Sequence, residues 1–487
     1  MPISINPEDK KLLRAVFDYA RDKKAGLYIV GGYLRDLVIK RRKSNPDIDF
    51  CIKSRAISFA RSLSQRLKAG FVVLDKEHGA CRLVKKQKDK IYTLDFTDFR
   101  GRDLKEDLFL RDFTINTMAV ELQEALKNSI REEALIDLYG ARKDLKAGLI
   151  RAVNKAAFDD DPLRIMRAFS LSAVLGFAIE NETLKLIKAK KEQLSAVSFE
   201  RIRDELFKIL AQDGSVSHLV AMDKLRVLKV ILPEIEVMRG VNQGPYHHLD
   251  VLNHSFETVR QFEKLVRENR RNREITDYLQ EKMSSERKRS DLMKLGALLH
   301  DIGKPQAKRR REGKTMFHGH ERVGAAMAIG ISRRFKLSNN EIESLKKIIF
   351  WHLRPGYLAD NERITPRAMF RYFRDTGDEG VSTLLVSMAD QRSTRGPLTS
   401  EESRLHHEKV VYALIKEYFR KKKEKQLPRL LNGNDLISKF KLEPSPLIGK
   451  ILSRLEELQA VGSVRTRAEA FKEVERFLKK KSPRSLR

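Results

Sequence analysis

Leu27-Tyr28-Ile29-Val30-Gly31-Gly32-Tyr33-Leu34-Arg35-Asp36 precedes, with eleven positions from Asp36 to Asp47, the run Asp47-Ile48-Asp49-Phe50-Cys51-Ile52. The apolar run before the glycine pair reads as a strand, and the alternation at 48–52 reads as a second. Two glycines at a strand end let the backbone approach a phosphate closely and leave N–H groups aimed at it. Asp47 and Asp49 are two apart on a strand, so both carboxylates project from one face. Paired acids at that spacing can hold Mg²⁺, a hard cation that prefers oxygen ligands and the phosphates of its substrate. Two such ions could activate an attacking hydroxyl and stabilise a leaving pyrophosphate. An isolated Asp-x-Asp is commonly a solvated loop; the Gly-Gly-x-x-Arg-Asp element ahead of it gives this pair its weight. Asp95, alternating with Leu94 and Phe96 on a later β-like run, is a candidate third carboxylate, with an edge-strand acid as the alternative.

Working outward, Phe71–Leu74 and Ile91–Phe96 look like further strands, whereas from Pro162 onward apolar residues recur at helical spacing. The expected fold class is α+β: a mixed head followed by a long all-α body. At 487 residues the chain has room for about three or four domains. The charged stretch 263–290 reads as a solvated helical insertion. FRKKKEKQLPR around position 420 reads as a basic linker ending at Pro428, and the terminal KKKSPRSLR as a frayed tail.

Composition narrows the function classes. With 41% hydrophobic residues the chain can build cores, which excludes a wholly disordered polyelectrolyte. No run approaches the ~18 apolar residues of a membrane span. The N-terminus lacks the pattern of a signal peptide. Cys51 and Cys81 are the only cysteines, which excludes a disulfide framework or a Cys-based zinc site and fits a cytoplasmic location. The net charge of +31 favours a polyanionic partner, because Lys and Arg that neutralise phosphates release condensed counterions. A merely basic or ribosome-bound protein would share that charge.

Five ordered motifs between Gly31 and Glu205 carry a resemblance. The head resembles the nucleotidyltransferase domain of the DNA polymerase beta superfamily. More narrowly, it resembles the bacterial class II tRNA nucleotidyltransferase and poly(A) polymerase family. Gly31-Gly32 through Asp36, with Asp47 and Asp49, resembles the metal and triphosphate motif. Arg111-Asp112-Phe113-Thr114-Ile115-Asn116 resembles the ribose-recognising motif, and Asp137-Leu138-Tyr139-Gly140 with Arg142 and Asp144-Leu145 the head-to-neck hinge. Asp160-Asp161-Pro162-Leu163-Arg164 is similar to the element that templates the incoming base, and Glu200-Arg201-Ile202 with Glu205 to the helix after it. The resemblance implies nucleotide contacts by Gly31, Gly32, Arg35, Arg111, Asp112, Asn116, Asp161 and Arg164. It implies catalysis by Asp47, Asp49 and Asp95, and Mg²⁺ in the head.

These residue types suit those roles. A carboxylate at 112 can accept from a ribose hydroxyl, favouring NTP over dNTP. Asp161 and Arg164, three apart, are expected on one helix face, offering an acceptor and a donor fork to the Watson–Crick edge of C or A. Leu110 stands where the family usually has a first Arg, and Thr117 where it has Ala. The segment from Asp95 to Arg111 is short. In the family, loss of a long loop there accompanies addition of the two C residues alone, with the terminal A left to a second enzyme.

A second constellation gathers His254, His300-Asp301, His318-Gly319-His320, His352 and Asp390. An adjacent His-Asp offers neighbouring N and O ligands, and separated His and Asp on other helices can complete a metal site in a bundle. The ordered set resembles the HD-domain phosphohydrolase superfamily. On that resemblance His254, His300, Asp301 and Asp390 are primary ligands, and His320 and His352 could hold a second ion. Mg²⁺, Mn²⁺, Ni²⁺ and Fe all fit. A bound metal would generate hydroxide for phosphoester hydrolysis; a scaffold that only positions RNA is the alternative. Glu312-Gly313-Lys314-Thr315 lacks the upstream Gly of a P-loop, since position 308 is Lys. Gly433-Asn434-Asp435-Leu436, Pro444-Ser445-Pro446 and Thr466-Arg467 resemble the family's tRNA-gripping tail.

The expected organisation is therefore a nucleotidyltransferase head at 1–155, a helical neck at 156–240, an HD-type domain at 241–420 and a tRNA-binding tail at 421–487. The expected activity is template-independent addition of C, with or without A, to tRNA 3′ ends from CTP and ATP. No membrane partner is expected, and the oligomeric state is left open. A poly(A) polymerase, an HD hydrolase with a degenerate RNA-binding head, and a non-enzymatic RNA-binding protein are the competing readings. The last explains the charge but not two metal-like constellations.

Overall fold

The computed structural model describes residues 3–312, 314–361, 363–424 and 428–480. They separate into two compact units. One runs through Gln212 and includes Ala221–Ile231; the other comprises Asp213–Val220 and the chain from Leu232 onward. Among the described residues no helix is long and apolar enough to cross a membrane.

The first unit is built on a six-stranded sheet of β1 (Leu27–Val30), β2 (Asp47–Ile52), β3 (Gly70–Asp75), β4 (Ala80–Gln87), β5 (Lys90–Asp98) and β6 (Ala119–Glu121). The order is β3-β4-β5-β2-β1-β6, with β2 and β5 parallel and the other pairs antiparallel. Helices α1 (Pro7–Asp22) and α3 (Ala56–Leu67) accompany the sheet, and Phe59 of α3 packs on Phe96, which stacks on Phe50 at 4.8 Å. Phe50 and Phe96 alternate with Asp49 and Asp95 along their strands, so filling one face sends the carboxylates to the other. α2 (Gly32–Val38) leaves directly from the glycine turn, and α4 (Leu104–Phe109) contributes Leu108 to a small core with Val30, Cys51 and Ala119. The sequence reading missed β4, whose Lys85-Lys86-Gln87 end masks the alternation, and the three-residue β6.

Beyond the sheet this unit is helical apart from a short parallel pair, Leu149–Ile150 with Ala178–Ile179. Asp161 and Arg164 do not share a helix. The helix Ala157–Asp160 ends at Asp161, whose backbone is extended (φ −150, ψ 100), and a new helix begins at Arg164. Pro162 is the reason, since it disfavours the α conformation at the residue before it.

The second unit is a helical bundle. The expected solvated insertion is wrong: Phe262, Leu265, Ile275, Tyr278 and Leu279 are buried in its principal core. Helices Val251–Glu268 and Arg273–Gln280 place most of their charges on the outer face, with Glu263 buried against Lys294 as the exception, and the apolar residues between the charges form the inner one. The 420 region also differs. The helix Glu401–Lys423 runs through the basic residues with Phe419 buried, so only the part after Lys423 can link. Arg309–Arg311 pairs with Lys314–Met316 as a hairpin, not the strand–loop–helix of a P-loop. The last helices enclose their own core of Leu436, Ile451, Leu455 and Val474. Of the expected frayed tail 479–487, Lys479 and Lys480 close the helix Arg467–Lys480, and the rest lies outside the described residues.

Candidate active site

Parallel register places Asp49 opposite Asp95 and Asp47 opposite Thr93. Each of Asp47, Asp49 and Asp95 therefore offers an oxygen within 4.8 Å of the others. Burial, and then the Asp47 charge, push the Asp49 carboxyl up to about 6. Burial and Asp95 likewise raise Asp47, whose Oδ1 is buried without a hydrogen-bond partner. Concentrated negative charge, an orphaned oxygen and an all-carboxylate donor set fit a hard divalent cation. Arg82, missed in the sequence, clamps Asp95 through two hydrogen bonds of 2.8 and 2.7 Å.

Gly31 adopts φ +72, and a Cβ there would stand 2.9 Å from Asp49 Oδ2 and 3.3 Å from Arg111 Nη1. The glycine turn thus admits the carboxylate as well as any phosphate. Asp49 and Asp95 open into a cavity of about 300 Å³ also lined by Gly31, Gly32, Arg111 and Asp112, and by Asn116, Asp161 and Arg164. Two expected residues lie elsewhere. Asp47 lines a neighbouring cleft. Arg35 is buried away from the opening, donating to Asp36 and to Asn116 Oδ1.

A hydrogen-bond chain sets the cavity wall. Asp112 Oδ1 accepts from Phe113 N and Asn116, and Oδ2 accepts two bonds from Arg167 at 3.0 and 2.7 Å. Asp112 thereby holds Arg167 towards the cavity, and its carboxyl lies far below its ordinary range because Arg167 and these donors outweigh burial. Arg164 gives its guanidinium to the carbonyls of Leu110, Arg111 and Ala157. Asp161 is held by Arg201 at 2.9 Å. Arg111 is anchored on Asp107. Arg100 and Arg167 also line the cavity and were not identified from sequence. Arg167 follows Arg164 by one helical turn, a signal that was available.

The second unit brings together His254, His300, Asp301, His320, His352 and Asp390, whereas His318 is exposed and belongs to neither group. His254 lies early in Val251–Glu268, His300-Asp301 ends Arg289–Leu299, and His320 opens His320–Arg334. His352 ends Asn339–Trp351, and Asp390 sits in Gly380–Ser393. Their ligand atoms form two groups, His254/His300/Asp390 and Asp301/His320/His352, each within 4.8 Å. Asp301 stands 3.1 Å from His300 Nε2 and 3.2 Å from His320 Nε2, at the junction of the two. Nδ1 of His300, His320 and His352 each meets the backbone carbonyl three residues earlier at 2.7–2.8 Å. Donation there turns Nε2 inward, the orientation metal-binding imidazoles require once that nitrogen gives up its proton. Both Asp301 oxygens and His300 Nε2 are buried without a hydrogen bond. Burial alone would lower the His300 imidazole, but Asp301 and Asp390 outweigh it and raise it to about 10, whereas burial and the His300 charge push His352 down to about 3. These residues fit a divalent metal. Lys304 stands 2.6 Å from Asp301, and His247 packs edge-on against His254 at 4.7 Å; neither was singled out from sequence.

The comparisons agree with this geometry. Family models match as poly A polymerase head domain over residues 27–151, as the probable RNA and SrmB-binding site of polymerase A over 176–238, and as HD domain over 251–460. The A-adding tRNA nucleotidyltransferase of Deinococcus radiodurans is 30% identical, with 93% of this chain and 95% of that protein covered. The CC-adding tRNA nucleotidyltransferase of Thermus thermophilus is 28% identical, with 91% of each covered. The Thermotoga maritima CCA-adding enzyme complexed with tRNA shares the fold at a TM-score of 0.61 and 22% identity, over 98% of this chain and 99% of that one. With its three-carboxylate cleft, its HD centre and similarity over nearly its whole length, the chain belongs to the bacterial tRNA nucleotidyltransferases.

Proposed function

We propose that the chain adds the two C residues, without the terminal A, to tRNA 3′ ends from CTP in the cytoplasm. The observation that carries nucleotidyl transfer is the Asp47/Asp49/Asp95 cluster, of which Asp49 and Asp95 line an arginine-bearing cavity. Mg²⁺ held by Asp47 and Asp49 would polarise the 3′-hydroxyl and neutralise charge building on the triphosphate. The remaining work falls to the chain. Gly31 and Gly32 bring backbone close to the phosphates, and Arg111 supplies positive charge where pyrophosphate leaves. Asp161, held by Arg201, and the N–H edge of Arg164 face the base. Asp112 acts by fixing Arg167 and Asn116 at the ribose. The restriction to CC is supported by the connection between β5 and α4, which spans only residues 99–103.

The decisive assay incubates purified protein with tRNAs ending before C, after C and after CC, with CTP and ATP supplied separately. Growth to CC and no further is expected. Incorporation of A would refute the restriction, and would favour the reading that the 30% identity to an A-adding enzyme supports. ATP-only extension of arbitrary RNA ends would instead identify a poly(A) polymerase.

For the second unit we propose a centre of one or two divalent ions (Mg²⁺, Mn²⁺, Ni²⁺ or Fe) on His254, His300, Asp301, His320, His352 and Asp390, which hydrolyses phosphoesters such as 2′,3′-cyclic RNA ends. The inward Nε2 atoms and the Asp301 carboxylate at the junction of the two groups support it. Metal content unchanged in His300→Ala and Asp301→Ala would refute the ligand assignment.

A further inference from the structure

A second cavity of the head, at about 660 Å³, is larger than the catalytic one and shares no lining residue with it. It sits at the other end of the sheet. Gly26 and Tyr28 belong to the start of β1, whose far end delivers Gly31. Lys53 and Ser54 follow the end of β2, whose beginning carries Asp47. The small core around Leu108, Cys51 and Val30 lies behind Tyr28 and Phe99.

The lining is one-sided in charge. Lys23, Lys24, Lys53 and Arg55 face the cavity and no acid does. Among the described residues Lys24, Lys53 and Arg55 make no ion pair, and all three are exposed. Unpaired cations around a concavity with no carboxylate concentrate an anion. The walls are aromatic: Tyr28 and Phe99 at 6.2 Å between rings on one side, Tyr19 and Phe59 at 5.2 Å on the other. Ser54 and Ser58 add hydroxyl oxygens at the rim. Cations beside aromatic faces are the chemistry that holds a nucleotide by its phosphate and base without reading sequence. The volume suits one such unit, within the ~300–1,000 Å³ of small-molecule sites.

We propose that this cavity is a second nucleotide-binding site of the head, with phosphate against Lys53 and Arg55 and base against Tyr28 and Phe99. The unit can come from an RNA strand lying outside the catalytic cleft or from a free nucleotide. It implies a grip on RNA that is independent of the carboxylates.

The test uses the full chain, chelated to silence the catalytic site, and a single-stranded RNA of about twelve nucleotides carrying 4-thiouridine. After near-ultraviolet irradiation, adducts are mapped to peptides. Adducts on peptides holding Tyr28 or Phe99 are expected, reduced about tenfold in Lys53→Glu/Arg55→Glu. Phe99→Leu keeps the wall apolar but removes the ring and should reduce them as well. Nucleotide incorporation at saturating substrate should be unchanged in the double variant, which shows that the head is folded. Competition separates the sources: loss of adduct to unlabelled RNA but not to AMP identifies the strand, and equal loss to AMP identifies the free nucleotide. Absence of adducts on these peptides, or adducts that persist in the double variant, would overturn the proposal.

Discussion

Replacing Gly31 by alanine tests the geometry of the catalytic turn directly. Its backbone (φ +72, ψ −140) lies where a side chain is strained, at a cost of about 1–3 kcal/mol. The added Cβ also lands 2.9 Å from Asp49 Oδ2, closer than such contacts tolerate, and 3.3 Å from Arg111 Nη1. Either the turn opens or the Asp49 carboxylate is displaced by several tenths of an ångström. Misplacing a catalytic group by about 1 Å can cost about 100-fold, so we expect CTP incorporation to fall by one to two orders of magnitude, roughly, with a loss of only a few degrees in Tm. Gly32→Ala is the internal control. Its φ is not in the left-handed region, and its Cβ would meet nothing closer than the Arg35 guanidinium at 3.5 Å. Single-turnover incorporation into truncated tRNA, with thermal unfolding followed in parallel, separates strain from catalysis. Equal rates for Gly31→Ala and wild type would refute the close approach of this turn to Asp49.

Asp49→Asn should abolish incorporation yet stabilise the chelated protein at neutral pH. Because the folded-state carboxyl is pushed up to about 6, ionising it costs stability; the cost is absent below about pH 4, grows as pH rises, and is complete above about 6, at roughly 2–3 kcal/mol. Thermal melts of wild type and variant in chelator should therefore diverge with rising pH, and added Mg²⁺ should raise the wild type's Tm alone. Asp112→Ala removes both hydrogen bonds to the half-open Arg167 guanidinium and should destabilise the head by about 1–3 kcal/mol in a denaturant titration, with a raised KM for nucleotide. In the second unit, His300 in the chelated protein sits at about 10 and is protonated at neutral pH. Metal uptake should release a proton, read by an indicator in weak buffer, and His300→Ala should eliminate that release.

Local patterns carried much of this protein on their own. The two-residue period of β2 determines that Asp47 and Asp49 share a face, and the glycine pair announces a turn that no side chain could make. The ordered His and Asp residues pick out a candidate metal-binding group in a helical domain before any coordinates are known. These features are legible because they depend on spacing within a single strand, turn or helix end. Tertiary structure decided the rest. Asp95 becomes the third carboxylate only because β5 lies parallel to β2 in a register that sets it opposite Asp49, and Arg82 reaches it only from the neighbouring antiparallel strand. Arg167 enters the site through Asp112, 55 residues away in the chain. The run at 263–290 looked solvated because its charges outnumber its apolar residues, yet the few apolar side chains on one face were enough to seat that face in the core. Pairings across such separations depend on strand register and on which faces meet, and a window of adjacent residues contains neither.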